Sequence, residues 1–247
     1  MNVITLKRQM RVYAVKNGLE LPAVNWASDE WGDGAKRLAW RVSGHLHEHG
    51  RMKVQTDLPG PLWAYFDPAP HYKIRRDYHA VHSSGSVPLS QKHLIVIHDP
   101  EGGSGTTAAE TTGSWFENLA SGGSTQFGCD NDTIQQYLDM GAVAWGAPYA
   151  NINGVHVEGY GYAHWTRAEW MKNARGSLDR TAWLIAHIAH QTGIPIRTLT
   201  DAQMRSAGKG VTTHAQCTRV YHVAGGHTDP GGGYPLGFVM DLAKKYS

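Results

Sequence analysis

Residues 93–98 read HLIVIH, and how that stretch is read decides the fold class. Leu94 to Ile97 sets four aliphatic side chains in succession between two histidines. A short continuous apolar run of this kind reads as a buried strand. No apolar run in the chain approaches the ~20 residues that a bilayer-spanning helix needs, so no membrane insertion is expected.

Downstream of HLIVIH, strand and helix signals alternate. Thr107 to Leu119 is a helix candidate, broken by Gly113. Ser124 to Phe127 and Thr133 to Leu138 read as a pair of strands around a Cys-Asp-Asn-Asp turn, and GVHVE (154–158) as another strand. A long helix follows. Thr166 and Glu169 have the spacing of a capping box, and Trp170, Ala174, Leu178, Ala182, Ile185 and Ile188 recur at three- and four-residue intervals. Gly193 and Pro195 stop it. Val211 to His214 (VTTH) is a short strand, and a glycine-rich loop leads to a last helix from Leu236. This order predicts an α/β fold with a central mixed β-sheet flanked by helices.

Upstream the character changes. Residues 69–90 carry Pro, Ser and basic residues with little periodic apolar content, which is a linker signature. It divides the chain into a small domain, 1–68, and a larger one, 91–247. The first part reads as helical, with Arg11 to Gly18, Asp33 to Gly50 (Leu38, Val42 and Leu46 on one face) and Leu62 to Phe66 as candidates. So short a module would have a thin core and would lean on Trp26, Trp31, Trp40 and Trp63.

Composition narrows the function. The 23 basic residues against 21 acidic give a net charge of only +2, so there is no electrostatic case for nucleic acid. Two cysteines, Cys129 and Cys217, permit at most one bridge and exclude a disulfide scaffold. With 15 histidines, any metal site should be histidine-rich, and 9 tryptophans suit either ring-stacking surfaces or packing. The opening MNVITLKRQMRVYAVKNG has basic residues but no apolar core of the secretory type.

Metal-type side chains stand at strand ends. His98 closes HLIVIH and His214 closes VTTH, while Asp229 lies in GGHTDPGGGYP before a proline that favours extended backbone. Two imidazoles and a carboxylate would leave a fourth tetrahedral position for water, the catalytic rather than the structural zinc arrangement. Taken singly, each is better explained by structural hydrogen bonding or turn formation, and no short-range H-E-x-x-H pattern is present.

Four segments together carry a family resemblance: HLIVIHDPEGG, AVAWGAPYANINGVHVEGYGYA, GVTTHAQ and the closing GGHTDPGGGYP. In their order and separation, residues 91–247 resemble the zinc-dependent N-acetylmuramoyl-L-alanine amidases of the type 2 family, whose fold is shared with peptidoglycan recognition proteins. The resemblance is strongest to amidase domains of phage endolysins directed at actinobacterial walls. It implies zinc (Zn2+) held by His98, His214 and Asp229. It implies that Glu158, closing GVHVE, shuttles a proton from water to the leaving amine. It also implies that His227, where many relatives have lysine, donates to the oxyanion, with a stronger pH dependence than lysine would give.

Cys217 and His222 are competing ligands on this reading, with Asp229 ranked first because it lies in the signature. Trp145, Tyr149, Asn151, Tyr160 and His164, together with Tyr162 and Trp165, flank the Glu158 strand and are candidate groove residues. The implied partner is bacterial peptidoglycan, cut between N-acetylmuramic acid and L-alanine by a monomer that is made in the host cytoplasm without a signal peptide and acts at the wall. The alternatives are a non-catalytic peptidoglycan recognition protein of the same fold and a zinc peptidase acting within the stem peptide. Upstream, WGDGAKRLAWRVSGHL and VQTDLPGPLWAYFDP are similar to a three-helix peptidoglycan-binding module, although Ala35 replaces its usual threonine.

Overall fold

A computed structural model describes residues 72–247. The helices expected within 1–68, and the wall-binding resemblance there, lie outside the described residues.

The strands are β1 (Ile74–Arg75), β2 (Leu94–His98), β3 (Phe127–Cys129), β4 (Ile134–Gln136), β5 (Gly154–Gly159) and β6 (Gly210–Thr213). They form one mixed sheet in the order β1-β4-β3-β5-β2-β6. All pairings are parallel except β3 with β4, which form the antiparallel pair expected around the Cys-Asp-Asn-Asp turn. The helices are α1 (Ala108–Phe116), α2 (Arg167–Asn173), α3 (Arg175–Thr192), α4 (Asp201–Arg205), α5 (His214–Tyr221) and α6 (Leu236–Tyr246).

Strand β2 lies between β5 and β6 and is buried along its whole length, as its aliphatic run requires. Alternation then divides the side chains between two layers. Ile95 and Ile97, with Val155, Val157 and Val211, pack under α3 and α6 against Leu178, Ala182, Ile185 and Val239. Leu94 and Val96 face the other way, against Leu199, Met204, Cys217 and Val220. Each such aliphatic side chain contributes roughly 1.5–3 kcal/mol relative to exposure, so the middle of the sheet is its most firmly held part.

Several local expectations are met. Thr166 caps α2 in a reciprocal capping box with Glu169, Gly193 closes α3 in the left-handed conformation, and the last helix starts at Leu236. Others are corrected. Gly113 does not break α1; a Cβ there would stand 2.6 Å from the Tyr78 ring, so the glycine admits that ring against the helix. The long helix is two helices meeting at Ala174. Asn131 enters the junction, donating from Nδ2 to the Asn173 carbonyl (2.8 Å) and accepting from the Ser177 amide (3.0 Å), and so replaces the helix's own hydrogen bonds. Helices α4 and α5 were not expected, and His214 is the first residue of α5 rather than the last of a strand.

The described part of the linker stretch, 72–90, belongs to the folded unit. β1 pairs with β4, Ala80 is buried, and Val81, Ser84 and Val87 donate main-chain hydrogen bonds to Phe116, Val143 and Gly141. These bonds run backbone to backbone, so a composition-based reading has no means of seeing them.

Candidate metal centre and cleft

Strand register builds the site. In the β2–β5 pair His98 stands level with Glu158, and in the β2–β6 pair Ile97 stands level with Thr213, so His98 and His214 follow side by side. Three chemically capable residues thus meet at the carboxyl edge of parallel strands, where open α/β sheets place their ligands. Asp229 arrives from the loop after α5, and its main-chain carbonyl accepts from the Ala215 amide at 2.8 Å. Gly231 lets that loop turn close: its φ is +80°, and a Cβ would lie 1.9 Å from the Ala163 carbonyl oxygen.

His98, His214 and Asp229 are all buried and converge. His98 Nδ1 is 3.1 Å from His214 Nδ1 and 3.4 Å from Asp229 Oδ2, and His214 Nδ1 is 3.1 Å from Asp229 Oδ1. Ligand bonds of 2.0–2.2 Å at tetrahedral angles put donor atoms about 3.3 Å apart, so the trio has the spacing of three zinc ligands. Among the described residues no other group of three or more ligand-type side chains converges in this way. Cys217 is not in the group: it faces the apolar layer with Leu94 and Val96. His222 is the C-cap of α5 and is not in the group. Cys129 and Cys217 are both free and buried, so they form no bridge.

The electrostatics favour a cation. Burial lowers the pKa of His98, against the opposing pull of Asp229, which favours the neutral ligand form. Burial pushes the Asp229 carboxyl upward, but hydrogen bonds from His214 and His98 overcome it and hold the group well below the usual carboxylate range. Glu158 is raised well above that range, first by burial and then by the charges of Asp229 and Asp99. Asp99, a neighbour that the sequence reading passed over, is pushed to about 7 by burial, Glu101 and Asp229. One oxygen on each of these three carboxylates, and Nε2 of His214, are buried without a hydrogen-bond partner. Buried carboxylates facing one another in this way are costly unless a cation joins them.

The trio opens into a cleft of about 650 Å³, which Glu158, Asp99 and His227 also line. His227 stands at the mouth with its side chain 67% exposed; its ring stacks on His214 at 4.3 Å, and its Nδ1 is 3.5 Å from Asp229 Oδ1.

Of the expected groove residues, Trp145 lines the cleft, 43% exposed, with its indole N–H donating to Ser84 Oγ at 2.8 Å. The others do not. Asn151 accepts from the Gly146 and Ala147 amides and so closes its own loop, while Tyr160 is buried edge-on against Trp165. His164 lies beside Tyr162, and the exposed Tyr149 is nearest in ring contact to Tyr221. Tyr149 and Asn151 precede β5, while Tyr160 and His164 follow Gly159, where the chain leaves the sheet. The aromatic that the sequence reading missed is Trp115 on α1, half exposed in the cleft wall. His156, buried behind His98 with Nδ1 2.9 Å from His98 Nε2, was also missed, although it lay within the quoted strand GVHVE.

The family profile described as N-acetylmuramoyl-L-alanine amidase matches residues 89–232. No curated protein matches the chain. Among solved structures, the Staphylococcus aureus hydrolase AmiA, crystallised with its ligand, is similar at a TM-score of 0.56 and 19% identity, over 78% of this chain and 94% of that one. PlyL is similar at 0.49 and 12% identity, over 71% of this chain and 99% of that one. The N-acetylmuramoyl-L-alanine amidase LysC from Clostridium intestinale is similar at 0.42 and 13%, over 70% and 97%.

Proposed function

The chain belongs to the N-acetylmuramoyl-L-alanine amidase family, and from that membership we propose a zinc-dependent hydrolase that cuts bacterial peptidoglycan between N-acetylmuramic acid and L-alanine. The observation that carries this reading is the meeting of His98, His214 and Asp229 at ligand spacing, beside a buried Glu158, at the base of one cleft.

His98, His214 and Asp229 hold the ion. Zinc, when bound, supplies Lewis acidity that polarises a carbonyl and makes water a nucleophile near neutral pH. Glu158 takes the proton from the attacking water and returns it to the amide nitrogen as the carbon–nitrogen bond breaks. The lactyl side keeps the carboxylate and alanine leaves with a free amine. Burial, and then the charges of Asp229 and Asp99, raise the Glu158 carboxyl; with a cation held by the trio, Glu158 would ionise more readily and so serve as the base. His227, at the mouth, donates to the carbonyl oxygen as it gains charge. Trp145 and Trp115 offer ring faces on the cleft wall for the sugar of the glycan strand.

The biological setting that fits is host lysis by a phage, supported by the sequence resemblance to endolysin amidase domains. The decisive experiment is mass spectrometry of purified walls after digestion. New alanine amino termini are expected, and chelation should abolish their release until zinc is restored. Cuts within the stem peptide would instead make the chain a peptidase, and intact walls would make it a binder.

A further inference from the structure

His156 has no role in the chemistry above, yet its surroundings are closely specified. It lies within β5, fully buried, on the face that carries Glu158 two residues further on. Its backbone amide donates to Gln126 Oε1 at 2.7 Å. Two glycines shape the slot around the ring. A Cβ at Gly146 would stand 2.6 Å from His156 Nδ1, and one at Gly154 would stand 2.7 Å from Nε2. The imidazole has little room to turn.

His98 therefore uses its two nitrogens in opposite directions. Nδ1 faces His214 and Asp229, while Nε2 points back to His156 Nδ1 at 2.9 Å, with the rings 5.1 Å apart. A neutral imidazole has one donor and one acceptor nitrogen. For Nδ1 of His98 to give its lone pair to a metal, the proton must sit on Nε2, and that proton needs an acceptor. The acceptor within reach is His156 Nδ1. His156 must then be neutral, with its own proton on Nε2. Burial, then the charges of His98 and Lys92, hold it far below the usual imidazole range. The Ala150 carbonyl oxygen lies on the Nε2 side of the ring, where a Cβ at Gly154 would stand 2.5 Å from that oxygen and 2.7 Å from Nε2.

We infer that His156 is the positioning residue of the metal centre, accepting the Nε2–H of His98 and so fixing the tautomer and ring orientation that leave Nδ1 free for zinc. The inference rests on the zinc reading of the trio. Metal-bound histidines commonly hand their second N–H to a carboxylate, a carbonyl or water, and losing that partner lowers metal affinity about 10- to 100-fold. Here a neutral imidazole fills that place and orients His98 without adding negative charge.

The test compares zinc affinity, by competition with a chromophoric chelator, in the full chain and in His156→Leu and His156→Asn. Leucine removes the acceptor, whereas asparagine keeps an oxygen near the position of Nδ1. We expect His156→Leu to bind zinc about 10- to 100-fold more weakly and His156→Asn to recover most of the loss. Equal affinity in parent and His156→Leu, or no recovery with asparagine, overturns the positioning role while leaving the zinc site standing. A parent that takes up no zinc overturns the metal reading and this inference together. Should the leucine variant fail to fold, nitrogen-15 spectra of the histidines in the zinc-loaded parent decide the matter. A proton on Nε2 of His156 and a bare Nδ1 support the role, and a proton on Nδ1 of His156 refutes it.

Discussion

The two ends of β2 both hold buried charge and treat it in opposite ways. Just before the strand, Lys92 is fully buried, and its ammonium donates to the carbonyls of Ala142, Ile152 and Gly154 at 2.9, 3.1 and 3.0 Å. Every donor is used. At the far end Asp99 and Glu158 each keep a buried oxygen without a hydrogen-bond partner, and so does Nε2 of His214. A satisfied buried charge ties loops together, while an unsatisfied cluster costs stability and persists where a ligand completes it. The same strand thus has a structural end and a reactive end.

The largest expected effect that tests this division is at the reactive end. Glu158→Gln should lower the rate of wall hydrolysis about 10²- to 10⁴-fold while zinc stoichiometry stays the same. Its metal-free form should melt no lower than the parent, because a buried, repelled carboxyl has been neutralised. A variant that lyses walls at the parental rate ends the proton-transfer role. Next comes His227→Ala, expected to reduce kcat about 10²- to 10³-fold in steady-state assays; a mouth residue with no donor role would leave kcat alone.

At the structural end, Lys92→Met should reverse the pattern. Three buried carbonyls lose their donor, and each unmet group costs about 1–3 kcal/mol, so denaturant melts should show a loss of about 3 kcal/mol or more. Activity per folded molecule should hold. The pH dependence has a definite sign. Burial lowers the Lys92 ammonium to about 8 from 10.5. Between those values the unfolded chain binds more protons, so this group's contribution to stability rises with pH across that window. The margin of parent over variant should therefore widen from pH 7 to pH 10, and a constant margin would place the charge outside the buried pocket. The smallest effect is at the cleft wall. Trp115→Ala should raise KM several-fold on glycan-bearing substrate with kcat little changed, and an unchanged KM would make that ring a bystander.

Much of this was legible along the chain. HLIVIH and GVHVE announced their strands because aliphatic and β-branched runs suit buried sheet positions. Thr166 with Glu169 announced a helix start, since a capping box closes over four residues. His98, His214 and Asp229 were named from strand ends and the H-T-D-P-G signature, and the structure brings those three residues together. Helix α5 was missed because His214 serves two elements at once, following β6 and opening the helix. The break at Ala174 was missed because its cause, Asn131, lies more than forty residues away.

The sequence by itself determined the strands HLIVIH and GVHVE, the helix start at Thr166, the residues proposed for the chemistry, and the mixed α/β class, because those follow from short-range hydrogen bonding and side-chain pattern. Only the tertiary structure decided that His98, Glu158 and His214 stand at one level, that 72–90 is strapped to the sheet, and that His156 stands behind His98. It also separated Trp145 and Trp115 in the cleft from aromatics that merely pack. Those outcomes depend on which strands become neighbours and in what register, and that is set by the whole core rather than by any window of sequence.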